Sequence, residues 1–177
     1  MNKPVKTIDL PDGQKIDIFY DQDADDPRTW DNLGHFAMAH RRYSFGDSNH
    51  SSVSHLEACK PKDCISLPVY MYDHSGITIS TKPFSCPWDS GQIGEIWVDK
   101  QKVRDEYRVR AVTSNIRKRV EGILRGEIET LDQYLRGDVY YYVVKDKDGD
   151  TVDSCHGFYD IDECIAQAQA AAQAQPA

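Results

Sequence analysis

Three stretches of this chain repeat one pattern, and that pattern limits the fold most. Each has two short runs of alternating apolar and polar residues joined by turn-formers. The first is "KTIDL-PDGQ-KIDIFYD", in which Ile8 and Leu10, then Ile16, Ile18 and Tyr20, alternate around a Pro-Asp-Gly turn. The second is "ISLPVYMYDHSGITIST", turning at Ser75-Gly76, and the third is "VYYYVVKDKDGDTVDSCHGFYD", turning at Asp148-Gly149-Asp150. A period of two places one set of side chains on a buried face, and the turn residues reverse the chain within a few positions. With "QIGEIWVD" as a further strand, the reading is an antiparallel sheet built from hairpins. No βαβ rhythm is present, which excludes a doubly wound parallel sheet.

Helical patterning fills the gaps. "TWDNLGHFAMAHRRYSFGD" places Leu33, Phe36, Ala37 and His40 at helical spacing, which predicts a helix over 29–43 with His40 on its apolar face. Arg41 and Arg42 beside it are expected to pair with the acidic loop 21–31. A short helical turn is expected at "SVSHLEACK", inside a polar loop over 44–64. Asp99 can cap a helix over 100–110, and a further helix starts near Ser114 with Val120, Ile123 and Leu124 as its stripe. Gly126 is expected to break or bend it, Ile128, Leu131 and Leu135 continue the apolar face, and Gly137 is expected to end it. A last helix begins near Asp160 and enters the uncharged run "AQAQAAAQAQPA", expected to fray and to be dispensable. The fold class is therefore α+β, with helices packed on one face of an antiparallel sheet. The expected organisation is one domain over 1–165 and a low-complexity tail over 166–177.

The chain has 177 residues, 40% of them apolar and 28% charged. That length suits one core. A mean hydropathy of -0.63, with no apolar run near the roughly 18–20 residues of a membrane-spanning helix, argues against a membrane role. The N-terminal stretch lacks the apolar centre of a secretory signal, so a cytoplasmic setting is expected. Five cysteines, Cys59, Cys64, Cys86, Cys155 and Cys164, are then expected as free thiols.

The net charge of -8 is unevenly spread. Residues 100–125 hold nine Lys/Arg against three Asp/Glu, which leaves -14 on the remainder. Such polarity suits contact with charged macromolecules. Asp21, Asp23, Asp25 and Asp26 form the acidic candidate, directed at a basic partner. Arg117, Lys118 and Arg119 form the basic one, directed at an acidic partner or a nucleic acid.

Two constellations could carry chemistry. In "TKPFSCPWDSGQIG", Cys86 could act as a nucleophile with His74 or His40 as base and Asp89 or Asp73 orienting it, while Ser90-Gly91-Gln92 could supply oxyanion donors. No helix follows the cysteine, and Pro83, Pro87 and Gly91 read more simply as a tight loop in which Cys86 is buried or half-buried and Trp88 packs as an anchor. In "HSSVSHLEACKPKDC", His50, His55, Cys59 and Cys64 offer the donor types that zinc prefers. No C-x2-C knuckle is present, so a polar loop with incidental His and Cys is the favoured reading and no metal is assigned. "DKDGD" echoes a calcium loop, but twelve residues from Asp146 end at Gly157 without a closing acid, so a hairpin tip is expected. Phosphate-loop, H-E-x-x-H and G-x-S-x-G patterns are missing, and no cofactor is expected.

Taken together, "WDNLGHFAMAHRRYSFGD", "LPVYMYDHSGITISTKPFSCPWDSGQIGEIWV" and "LDQYLRGDVYYYVV…DSCHGFYD" resemble a group of small uncharacterised proteins of bacteriophages and other mobile elements. His156 departs from the aromatic expected before "GFY". The resemblance implies an accessory protein in the host cytoplasm that binds a host macromolecule, such as a component of a restriction or CRISPR defence. It implies no activity. The expectation is a binding protein rather than an enzyme, with a cysteine enzyme or a nucleic-acid binder as the alternatives.

Overall fold

A computed structural model describes residues 3–174. The class is α+β: among the described residues, four α-helices accompany two mostly antiparallel sheets. The chain divides into two compact units, one of residues 1–25 and 133–177, the other of residues 26–132.

The first unit is a four-stranded antiparallel sheet with one helix. Strands β1 (Lys6–Asp9) and β2 (Lys15–Tyr20) form the first expected hairpin, with Gly13 at φ 87 in its turn. Two later strands, Tyr140–Lys145 and Thr151–Phe158, form the third, and the order places Tyr140–Lys145 beside β2. The C-terminal helix, Ile161–Ala174, covers this sheet. Ile16, Ile18, Tyr142 and Val144 face Cys164, Ala168 and Ala172, all seven buried. The Ala/Gln run is thus helical up to Ala174 and part of the core, contrary to the expectation of fraying. Its alanines are the point: a small side chain at 168 and 172 lets the helix approach the sheet closely. The end of the run, residues 175–177, lies outside the described residues.

The second unit holds the other sheet. Asp26 caps a 3-10 turn, Pro27–Thr29, by accepting a hydrogen bond from the Arg28 amide at 2.8 Å. The chain then enters β3 (His35–Met38), so the helix expected over 29–43 does not form. Phe36, Ala37 and Met38 are all fully buried, because β3 lies inside a sheet covered on both faces. A strand buried on both faces shows no alternation, and Phe36 and Ala37 of β3, with Leu33 and His40 on either side of it, mimic a helical stripe.

The short strand β4 (Ser48–Asn49) runs parallel to β3, and α1 (Val53–Cys59) follows, capped by Ser52. Strands β5 (Cys64–Asp73) and β6 (Ile77–Ser80) form the second expected hairpin, and β7 (Ser90–Asp99) lies between β3 and β5. Buried Trp97 meets Leu56 of α1, while Ile96 points the other way, toward Leu124. Gly94 of β7 has no room for a side chain, because an added Cβ would collide with the Ala37 carbonyl of β3.

Helix α2 (Lys100–Tyr107) is capped by Asp99, and α3 (Ser114–Arg136) buries Val120, Leu124, Ile128 and Leu131. Gly126 does not break α3, which runs unbroken through it; the buried stripe on both sides holds the helix together. Gly137, at φ 74, ends α3 as expected. The two strands and the helix of the first unit that follow are β8 (Tyr140–Lys145), β9 (Thr151–Phe158) and α4 (Ile161–Ala174).

One ion network fixes the segment before β3. The Arg28 guanidinium bonds both Asp47 oxygens, at 2.9 and 2.6 Å, and Glu127 at 3.1 Å, and its side chain is only 6% exposed. Glu127 in turn accepts from the Leu33 and Gly34 amides, at 2.9 and 3.1 Å. Every polar group in this cluster has a partner, the condition under which buried charge is tolerated.

Candidate functional site

The loop between β6 and β7 is built tightly. The Ser90 hydroxyl donates to the Cys86 carbonyl, and the Asp73 amide donates to the Asp89 carbonyl at 2.9 Å. The Phe84 ring packs against Tyr72 at 5.8 Å. The expected anchor does not pack: Trp88 stands 92% exposed at the tip. Pro87, directly before it, restricts the backbone on which the ring stands. Trp88 borders a cavity of about 310 Å³ that His40, Arg42, Asp73 and Asp89 also line.

Of the two expected settings for Cys86, buried or half-buried, the structure has the second, and its thiol faces Asp89 at 3.9 Å. His74 bonds the same carboxylate oxygen at 3.2 Å. The acid therefore stands between thiol and imidazole. A thiol nucleophile needs the imidazole as its neighbour, with the acid behind it. His40 is directed elsewhere: it accepts from the Arg42 amide at 3.3 Å and stacks on Tyr43 at 5.1 Å. Burial and the neighbouring Arg42 lower the pKa of His40 below its ordinary value. Arg42 itself pairs with Asp73 rather than with the acidic loop.

The acidic candidate divides. Asp21 is 7% exposed and belongs to the interior of its unit, where it accepts from the Asp23 amide at 3.2 Å and the Gly157 amide at 3.2 Å and meets His156 at 3.3 Å. Asp26 is the cap already described. Asp23 and Asp25 remain exposed.

The basic candidate is solvent-facing throughout. Arg117, Lys118 and Arg119 are exposed on the first turns of α3, as are Arg108 and Arg110 just before it. Arg119 lies over the Tyr107 ring at 5.5 Å, and Arg117 pairs with Glu121 at 3.8 Å. Arg108 occupies the left-handed region at φ 52, a C-cap position that normally favours glycine.

The soft donors separate three to one. One donor atom each from His50, His55 and Cys59 lies within 4.8 Å of the others. Helix α1 places His55 and Cys59 one turn apart on one face, the spacing legible in the sequence. Cys64 does not join them; it opens β5 opposite Asp99, and burial pushes its thiol pKa up. All five cysteines are free thiols. The "DKDGD" segment is a hairpin tip in which Asp146 accepts from the Asp148 and Asp150 amides, at 3.0 and 2.9 Å.

Among the described residues, no helix is long and apolar enough to cross a membrane. Comparison with protein families, with curated proteins and with solved structures finds no match to this chain.

Proposed function

We propose that this chain is a binding protein that docks on a host protein, in the mobile-element setting its sequence resembles, with the β6–β7 loop as its contact. The observation that carries this reading is Trp88, 92% exposed on a loop tied down on both sides. A tryptophan buries roughly 150–250 Å² on a partner, about 5 kcal/mol of apolar transfer, and it does so with little loss of side-chain freedom. Tryptophan dominates the energetic centres of protein interfaces, inside a polar rim. Here Arg42, Asp73, His74 and Asp89 supply such a rim. A defence-system component is the partner class the resemblance suggests.

The test is affinity capture from host lysate with the wild-type chain and with Trp88→Ala. Because Trp88 packs on little, the variant should keep its melting temperature. The reading expects a defined protein captured by the wild type and lost by the variant. Equal capture by both ends it.

A second reading rests on the five exposed cations at 108–119. Arg108 stands at a left-handed backbone position that costs a non-glycine residue about 1 kcal/mol. Such a corner suits phosphates, and binding there would weaken steeply with salt. Anisotropy with duplex and single-stranded oligonucleotides at low salt tests it. Binding that Arg117→Glu/Lys118→Glu abolishes supports it; no binding at low salt rejects it.

A further inference from the structure

We infer that His50, His55 and Cys59 form a surface site for a divalent transition-metal ion of the zinc class. Two imidazoles and a thiolate are the donor set that Zn²⁺ and Co²⁺ prefer over Mg²⁺ or Ca²⁺. A tetrahedral ion with bonds of about 2.0–2.3 Å holds its donors about 3.3–3.8 Å apart. The three donors lie within 4.8 Å, so a contraction of about 1 Å completes the geometry, within reach of small side-chain rotations.

The backbone beneath the donors is already fixed. Leu56, between the two helical donors, is fully buried with Ala37 and Trp97. The His50 amide donates to the Met38 carbonyl at 2.8 Å, immediately after β4 pairs with β3.

Each ring also meets a serine hydroxyl. Nε2 of His50 meets the Ser48 hydroxyl at 3.2 Å, and that hydroxyl also meets Nε2 of His35 at 2.9 Å. Nδ1 of His55 meets the Ser51 hydroxyl at 3.4 Å. Each ring thus keeps one nitrogen that a serine does not engage. An outer hydrogen bond of this kind orients a ligating imidazole and fixes its tautomer.

Three protein donors leave a fourth position for water or for a group from a docked molecule. Binding requires Cys59 to release its proton to solvent, so affinity rises with pH. The ion would also cross-link the residue that follows β4 to α1, a helix of seven residues that is marginal by length.

The experiment uses the untagged full chain, stripped with chelator and titrated with Zn²⁺ by calorimetry and with Co²⁺ by absorption. The expected result is one ion per chain, with a thiolate-to-cobalt charge-transfer band and the visible bands of a four-coordinate ion. His55→Ala and Cys59→Ser each remove the band and weaken Zn²⁺ binding by more than about 100-fold, beyond the loss typical of an outer-shell change. Both residues are exposed, so circular dichroism should show the variants folded. Cys64→Ser retains both signals. An absent charge-transfer band, Zn²⁺ binding indifferent to Cys59→Ser, or loss of the band on Cys64→Ser overturns the assignment.

Discussion

Arg28 shows how much one side chain can decide. Its guanidinium is 6% exposed and joins Asp47, Glu127 and the Gly34 carbonyl at 2.8 Å. Removing it would strand two carboxylates. Arg28→Ala should therefore destabilise the second unit by about 3–5 kcal/mol, read from urea denaturation. Arg28→Lys should recover only part of that, because an ammonium cannot make the two-pronged bond to Asp47. The same pair gives a pH dependence. Burial raises the pKa of Asp47, but the Arg28 bond and the Phe36 amide outweigh it and hold the carboxyl below its ordinary value. A depressed carboxylate contributes stability above its unfolded pKa and loses it as pH falls through the folded one. The melting temperature should thus decline below about pH 4, and Asp47→Asn should flatten that limb while lowering stability at neutral pH. None of this was readable in sequence, where Arg28 and Glu127 are 99 positions apart. Asp21 escaped for the same reason: its neighbours suggest an exposed acidic loop, whereas its partners at 156 and 157 come from β9.

At the scale of elements, hairpins were legible and isolated strands were not. The three turns carry their own chemistry, so β1–β2, β5–β6 and β8–β9 could be read from local pattern alone. β3 could not, since burial on both faces erased its alternation. Two glycines make the converse point. Gly94 in β7 permits β3 to lie alongside, whereas an added Cβ at Gly126 meets nothing within 4 Å. Gly126→Ala should raise stability by about 0.5–1 kcal/mol by removing backbone freedom from the unfolded chain, checked by thermal denaturation. A loss of stability there would mean that α3 needs a bend at this point. The α4 alanines were misread because low complexity suggests disorder, while burial of Ala168 and Ala172 depends on the sheet they meet. His55 and Cys59 were legible as a one-turn pair; His50 needed the β3–β4 pairing to bring it alongside.

For the whole molecule, the α+β class followed from the sequence, whereas the division into two units with separate sheets did not. Local pattern identifies strands, and only tertiary contacts say which sheet each joins. The exposed Trp88 is the feature that turns this scaffold into a binding protein in our account, and in sequence it looked like an anchor. Its role is tested most directly by placing a photo-crosslinking amino acid at position 88 in host cells, with the exposed hairpin-tip position 147 as reference. The account predicts a discrete protein adduct from position 88 and none from position 147. No adduct at 88, or the same diffuse labelling at both positions, would contradict it.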